Sequence, residues 1–202
     1  MRALNALAAT VLLSTAGFIA AAPVRAVPIS YKLDPAHTMV LFSWNHFGFS
    51  HPTAELGLGD GTLIFDEQHP AKSSVEVSLP LADLDTHVPA LDKHLKKADF
   101  FDADKYPMVT FKSTMVQPLG GHKFKITGQL TVHGVTESVV LDATLNKVGT
   151  HPLTKAQSIG FDAVGTLKRS DFGVAAYVPN VSDQITVRIT TEGSVPKADG
   201  SN

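Results

Sequence analysis

Residues Lys123 to Val132 read KFKITGQLTV and show the pattern from which the fold class can be inferred. Phe124, Ile126 and Leu130 occupy alternate positions there, and lysine, threonine and glutamine side chains fill the positions between them. Side chains of a β-strand point alternately to its two faces, and strands of antiparallel sheets often bury only one face. The stretch therefore predicts an antiparallel strand with one buried face.

The same alternation recurs along most of the chain. Glycine-containing turns, such as 119–122 and 133–135, separate several of the alternating segments. Regularly spaced strands joined by short turns are typical of a barrel or a sandwich. We predict an all-β fold with about eight strands, drawn from segments 31–35 with 38–49, 53–57, 59–66, 72–79, 107–117, 122–132, 136–148, 156–169 and 183–195.

Two glycines, Gly128 and Gly165, fall on the apolar faces of these strands. A glycine inside a strand marks a bend or a place where another group comes close to the backbone. Bends at glycines also help a barrel to close. Curvature is the favoured interpretation, and the approach of another group stays open as the alternative.

One segment departs from the period of two. Apolar residues recur at helical spacing from Leu91 and Leu95 onward, with charged residues between them, as in an amphipathic helix. Asp85-Thr86 offers an N-cap shortly before it. We predict a short helical insertion at about 88–101 that covers one end of the barrel.

The first 26 residues read as a secretory signal peptide. Arg2 supplies a positive start, residues 6–22 carry no charge, and Val24-Arg25-Ala26 fits a signal-peptidase site. We expect cleavage after Ala26, with an uncleaved membrane anchor as the alternative. The remaining chain is predicted to be one exported barrel domain, 27–196, followed by a polar tail, 197–202.

Composition excludes several classes of function. The chain has no cysteine, which excludes a disulfide scaffold, cysteine-ligated zinc, an iron–sulfur cluster and a thiol nucleophile. Its 17 Lys+Arg against 19 Asp+Glu provide no basic field for a phosphate backbone, so we expect no nucleic-acid partner.

Catalytic motifs are also missing. The sequence has no Gly-x-Ser-x-Gly, phosphate-binding loop or His-Glu-x-x-His motif, and its nine histidines lack the close pairing that favours a metal site. Asp34 or His37 could act as an acid or base, or both could be turn residues that hold the first strand, and the turn is favoured. Arg169 either forms a structural ion pair with Asp171 or contacts a ligand head group.

Motifs in one order and spacing resemble the YceI-like polyisoprenoid-binding family over about residues 30 to 195. No single motif is decisive, but the set is specific. The motifs are Asp34-x-x-His37-Thr38, Phe42-x-Trp44-x-His46, Leu84-Asp85-Thr86, Asp92-x-His94-Leu95, Ala98-Asp99-Phe100-Phe101-Asp102, Tyr106-Pro107, Phe111-Lys112-Ser113, Gly128-x-Leu130-Thr131-x-His133-Gly134-Val135-Thr136, Arg169-Ser170-Asp171-Phe172-Gly173 and Val181-Ser182-Asp183.

The resemblance implies a lipocalin-like, extended eight-stranded antiparallel barrel in the periplasm. It further implies an apolar cavity that binds an isoprenoid lipid, such as a polyprenyl diphosphate or a respiratory quinone, with no cofactor, no metal and no catalysis. Residues expected to line the cavity for the tail are Phe42, Trp44, Phe111, Leu130 and Phe161. Residues expected near the mouth or helix are His94, Phe100, Phe101, Arg169 and Phe172.

Two departures from the family pattern bear on the head group. Leu91 stands where the family often has a basic residue, and residues 53–60 lack the basic and aromatic residues often found there. A diphosphate favours paired cations, so we expect a neutral quinone or another neutral amphiphile.

Two other functions remain open, an exported enzyme that acts on a bound amphiphile and a structural barrel with a filled core. For the carrier function we also expect transient contact with a membrane or with quinone-using membrane proteins. A homodimer is a further expectation, because extended barrels with exposed edges often pair.

Overall fold

Ten β-strands form one antiparallel sheet in the computed structural model, which describes residues 27–197. The predicted signal peptide, its cleavage site and all but the first residue of the polar tail lie outside these residues. The strands are β1 (Ile29–Leu33), β2 (Met39–Ser43), β3 (Thr53–Gly57), β4 (Asp60–Phe65), β5 (Ser74–Pro80), β6 (Met108–Gly120), β7 (Lys123–Val132), β8 (Val135–Thr150), β9 (Gln157–Lys168) and β10 (Gln184–Ser194).

Eight of these strands close into a barrel. The sheet runs β1-β4-β5-β6-β7-β8-β9-β10, and β1 pairs with β10 through Lys32 with Ser194 and Leu33 with Gly193. After a short turn at Pro35–His37, β2 continues along β10, and β3 pairs with β2. The predicted eight-stranded antiparallel barrel is confirmed, with β2 and β3 extending it at one end.

Tight turns set the register of the long hairpins. Gly120 and Gly121 have φ of 82° and 56°, as the predicted hairpin loop requires, and the next turn places His133 and Gly134 at 52° and 75°. Two consecutive positive φ values match the right-handed twist of paired strands. The turn pairs Val132 with Val135, so the buried faces of β7 and β8 stay aligned.

The helix, α1, spans only Pro89–Leu95, which corrects the predicted range of about 88–101. Beyond Leu95 the chain folds back, because Phe101 N–H donates to Leu95 C=O and Ala103 N–H donates to Lys96 C=O. These bonds satisfy carbonyls that a longer helix would use. No helix within residues 27–197 is long and apolar enough to span a bilayer.

The predicted Asp85-Thr86 cap is also wrong. Val88 is the N-cap and Pro89 begins the helix, a position where the missing N–H of proline costs nothing. Thr86 instead donates both its backbone N–H, at 2.7 Å, and its hydroxyl, at 2.6 Å, to the Asp92 carboxylate. This contact ties the segment before the helix to the helix itself.

Two apolar clusters divide the barrel interior. One lies at the end where α1 and the β9–β10 connection meet, and it includes Leu81, Leu95 and Phe172. The other lies at the opposite end, around Tyr31 and Phe124. No residue of the second cluster lines the cavity described below, which lies at the first end.

Candidate functional site

A cavity of about 390 Å³ opens inside the barrel at the α1 end. Its volume lies in the range of pockets that hold small-molecule ligands, which is about 300–1,000 Å³. The inward faces of the strands supply most of its wall. The strand residues in that wall are Val40, Phe42, Leu56, Val77, Leu79, Val109, Phe111, Leu130, Val132, Val139, Val140, Leu141, Gly165, Thr166, Leu167, Ile185, Val187 and Ile189.

Aromatic side chains form one side of the cavity. The ring of Phe42 lies 6.0 Å from Trp44 and 6.2 Å from Phe101, the second in an edge-to-face arrangement. Both spacings fall in the range of favourable aromatic pairs. Strand β2 and the chain after α1 therefore meet at Phe42, which joins the barrel wall to the segment that covers its end.

The mouth of the cavity is framed by α1 and by two loops, one between β2 and β3 and one between β9 and β10. His94 lies 4.9 Å from Phe100, which stacks on Tyr177 at 6.2 Å. Phe47 and Tyr177 both line the cavity and are 48% and 59% exposed. Their φ values are 54° and 62°, a conformation that L residues rarely adopt.

Backbone hydrogen bonds hold the two mouth loops against each other. Phe47 N–H donates to Asn180 C=O at 2.9 Å, and Ser182 N–H donates to Asn45 C=O at 2.9 Å. The side chain of Ser182 also accepts from the Asn45 N–H at 2.9 Å. The loops therefore form one unit at the mouth, in which Phe47 and Tyr177 lie next to the opening.

Arg169 is 7% exposed and its guanidinium is held by backbone carbonyls. Nε donates to Ser182 C=O at 2.9 Å and Nη1 to Val174 C=O at 2.7 Å. Nη2 donates to the carbonyls of Ala176 and Val181, at 2.7 and 2.9 Å. Arg169 therefore pins the loop between β9 and β10, and the structure favours this role over a head-group contact.

The acidic neighbour of Arg169 is Asp183, not the predicted Asp171. Asp183 accepts from the backbone N–H of Ser170 at 2.9 Å and from its hydroxyl at 2.8 Å. Burial raises the pKa of Asp183, but these hydrogen bonds and the nearby Arg169 outweigh it and hold the pKa below its ordinary value. Burial lowers the pKa of Arg169, and Asp183 opposes that shift.

The cavity wall is otherwise nearly without charge. Among the described residues that line it, Arg169 alone has a permanent charge. Its other side chains with hydrogen-bonding groups are those of Trp44, His46, His94, Thr166 and Tyr177. A ligand here would meet apolar surface along its length and hydrogen-bonding groups at the mouth.

Nine of the ten predicted site residues line this cavity: Phe42, Trp44, His94, Phe100, Phe101, Phe111, Leu130, Arg169 and Phe172. Phe161 does not. The centre of its ring lies 6.0 Å from those of both Phe65 and Phe124, in the apolar cluster at the opposite end of the barrel. Alternation placed Phe161 on the inward face of β9, but it carries no information on depth along the barrel axis, and Phe161 lies too far from the mouth.

Sequence reasoning did not select several lining residues. His46 shares the face of Phe42 and Trp44, so the same alternation could have found it. Phe47 and Tyr177 lie in loops with positive φ, where no periodic signal exists.

The other chemical candidates lie apart from the cavity. His37 Nδ1 is 2.7 Å from Asp34 Oδ2, and Asp34 also accepts from the Ala36 N–H at 2.9 Å. The His37 side chain, followed by the Ala36 N–H, lowers the pKa of Asp34, and the same bond to Asp34 raises the pKa of His37. These contacts favour a turn. Within residues 27–197, no three His, Asp or Glu side chains are grouped to hold a metal ion.

Fold and cavity together define a class of protein, a closed antiparallel barrel that encloses room for one apolar ligand. The sequence then gives the family. The model of the YceI-like domain matches residues 31–193, and the chain belongs to that family.

Known proteins and solved structures are similar to this chain in sequence or in fold. Protein YceI of Escherichia coli O157:H7 is 38% identical over 170 residues, which cover 83% of this chain and 88% of that protein. The crystal structure of Burkholderia cenocepacia BcnA has a TM-score of 0.71 at 25% identity, covering 79% of this chain and 98% of that one. A polyisoprenoid-binding domain from Saccharophagus degradans, implicated in plant cell wall breakdown, shares the fold with a TM-score of 0.60 at 12% identity, covering 82% and 98%.

Proposed function

We propose that this protein binds the tail of a neutral isoprenoid lipid, such as a quinone, in the barrel cavity and carries or buffers that lipid without chemical change. The observation that carries the proposal is the cavity itself, which has about 390 Å³ of space and an almost wholly apolar wall. The Saccharophagus degradans domain of the same fold, described as polyisoprenoid-binding, supports the choice of ligand class.

The energetics suit a long apolar tail. Burial of each methylene group is worth about 0.8 kcal/mol. Part of that gain is lost when the flexible chain is ordered and the two molecules give up independent motion. Recognition then depends on the length and width of the cavity, with a few polar groups at the mouth to orient the head.

The contacts of Arg169 support the proposal of a neutral head group. Four of the donors on its guanidinium already bind carbonyls of the β9–β10 connection. A diphosphate would therefore find no free cation among the described residues of the wall, whereas burial of an unpaired anion is costly. His46, His94 and Tyr177 can each donate a hydrogen bond to a quinone oxygen at the mouth.

Exposed apolar side chains at the mouth support a proposal for how the lipid enters and leaves. Phe49 and Val88 are 91% and 51% exposed in the segments that frame the opening, beside the exposed Phe47 and Tyr177. Aromatic side chains favour the boundary between water and lipid. We propose that this rim contacts a membrane, or a membrane protein that uses quinones, while the tail transfers.

The proposed compartment is the periplasm, on the strength of the signal-peptide pattern at 1–26. We do not extend the proposal to a homodimer. Glu55 on the outer edge of β3 exchanges backbone hydrogen bonds with Asp85, at 2.8 and 3.0 Å, so part of this edge is already paired within the chain.

Trp44 provides the test, because it is the single tryptophan of the chain and lines the cavity. Titration with a long-tailed ubiquinone should quench its fluorescence to a saturable, stoichiometric end point. Phe42→Ala should weaken binding, whereas Phe49→Ala, which changes an exposed ring outside the wall, should leave quinone affinity in solution unchanged. Absence of saturable quenching, or displacement of the quinone by an equal amount of polyprenyl diphosphate, would contradict the proposal.

A further inference from the structure

Gly128 lies in β7 on the face that points into the barrel, in register with Ser113 of β6. A Cβ atom at this position would lie 2.3 Å from Cζ and 2.4 Å from Cε2 of the Phe111 ring. Real Cβ atoms do not approach other atoms so closely. The ring of Phe111 therefore occupies the space that a side chain at position 128 would fill.

The direction of the ring follows from strand pairing. Phe111 pairs directly with Leu130, so Gly128 is its diagonal neighbour on the adjacent strand, within reach of an aromatic side chain. A ring whose tip rests over a neighbouring glycine lies along the wall of the barrel and does not point at its axis. Phe111 is 7% exposed and lines the cavity in this position.

A second close contact over a glycine occurs between β8 and β9. A Cβ atom at Gly165 of β9 would lie 2.7 Å from Cδ2 of Leu141, its direct partner on β8. Gly165 lines the cavity, and Gly128 lies beneath the ring of Phe111, which lines it. At Gly128 the structure shows a close approach, and the approaching group is a side chain of the protein. Strand β6 also has an irregularity in register between Ser113 and Met115, next to this position, so the close approach occurs together with a local distortion of the strand.

We propose that Gly128 is a positioning residue for the lipid tail: it gives the Phe111 ring a place on the wall and so keeps the cavity wide enough for a long isoprenoid. This inference rests on the proposed function. A side chain at position 128 would push the ring toward the axis, where the tail would lie. Binding of a short ligand near the mouth would be affected less, since it does not reach so deep.

The test compares Gly128→Ala with the double variant Gly128→Ala/Phe111→Ala, using quenching of Trp44 fluorescence by a long-tailed and a short-tailed ubiquinone. We expect Gly128→Ala to lose at least about tenfold in affinity for the long tail and little for the short one. The double variant should regain most of the long-tail affinity. Gly160→Ala is the matched control, because a Cβ there meets nothing closer than 3.7 Å.

The Lys112 carbonyl oxygen would also lie 2.7 Å from the new Cβ, so Gly128→Ala alone can fail to fold. Where the double variant folds, adding Gly128→Ala in the Phe111→Ala background should change long-tail affinity by less than about twofold. A large loss in that background would overturn the inference, as would wild-type long-tail affinity in a folded Gly128→Ala.

The contact with the Lys112 carbonyl persists in the Phe111→Ala background, so a further variant keeps Gly128: Phe111→Tyr lengthens the ring at Cζ, the atom closest to Gly128, and should lower affinity for the long tail more than for the short one. Unchanged long-tail affinity in Phe111→Tyr would overturn the inference. If the unmodified protein binds neither ubiquinone, the proposed function fails instead.

Discussion

Replacement of Arg169 by methionine tests whether this residue holds the fold or the ligand. Methionine keeps much of the length of the side chain and removes the guanidinium. The four carbonyls of Ser182, Val174, Ala176 and Val181 then lose their donors. The loop that carries Tyr177 depends on these bonds, so the change acts on the mouth as well as on stability.

The size of the effect follows from those bonds. A hydrogen bond to a charged group contributes about 1.5–3 kcal/mol, but the contributions of one group are not additive and some of the carbonyls can bind water instead. We expect Arg169→Met to lower the free energy of unfolding by about 4 kcal/mol. For a chain of this size that corresponds to a fall in Tm of about 8–16 °C.

Thermal and urea unfolding, followed by circular dichroism, would measure the loss. Arg188→Met is the matched control, because Arg188 lies exposed on the outer face of β10, and it should change Tm by less than about 2 °C. Arg169→Lys should fall between the two, since an ammonium lacks the fixed fork of donors. If Arg169→Met is as stable as Arg188→Met but has lost its affinity for the ligand, Arg169 contacts the ligand and does not hold the loop.

Three further predictions concern other parts of the barrel. Tyr31 is fully buried and its hydroxyl has no hydrogen-bond partner among the described residues, so Tyr31→Phe should keep or raise stability by about 1 kcal/mol in urea unfolding, and a clear loss would contradict this. The hydrogen bond from Thr86 is the main cause that lowers the pKa of Asp92 below its ordinary 3.8. The stability that this bond provides is present above pH 3.8 and is lost as the pH falls through the lowered pKa. Wild type and Asp92→Asn should therefore differ in Tm at neutral pH and have similar Tm in strong acid. Phe161→Ala should lower the free energy of unfolding by about 3 kcal/mol and leave quinone affinity near that of wild type, whereas Phe42→Ala should weaken quinone binding. If quinone affinity falls in Phe161→Ala and not in Phe42→Ala, the ligand lies at the end of the barrel opposite α1.

Much of the fold could be predicted from the sequence because one physical signal repeats. The alternation of Phe124, Ile126 and Leu130 fixes which face of β7 is buried, and the same reasoning holds for the other long strands. The glycines at 120 and 121 mark a turn that needs positive φ. These features are local, so the sequence displays them directly.

The rest depends on contacts between distant parts of the chain. Alternation could not show that Phe161 packs below the cavity, because depth depends on how the strands are staggered around the barrel. Helical spacing continued past Leu95, although hydrogen bonds from Phe101 and Ala103 end the helix there. The carbonyl partners of Arg169 come from a loop with no periodic pattern, so its role needed the structure.

Whether the barrel holds an isoprenoid lipid can be measured by mass spectrometry of an organic extract from the protein, purified without detergent from its own host. We expect one isoprenoid lipid per protein molecule, with the mass of a neutral quinone or a related neutral amphiphile. An extract without isoprenoid, from a protein that also fails to take up added ubiquinone, would contradict this expectation.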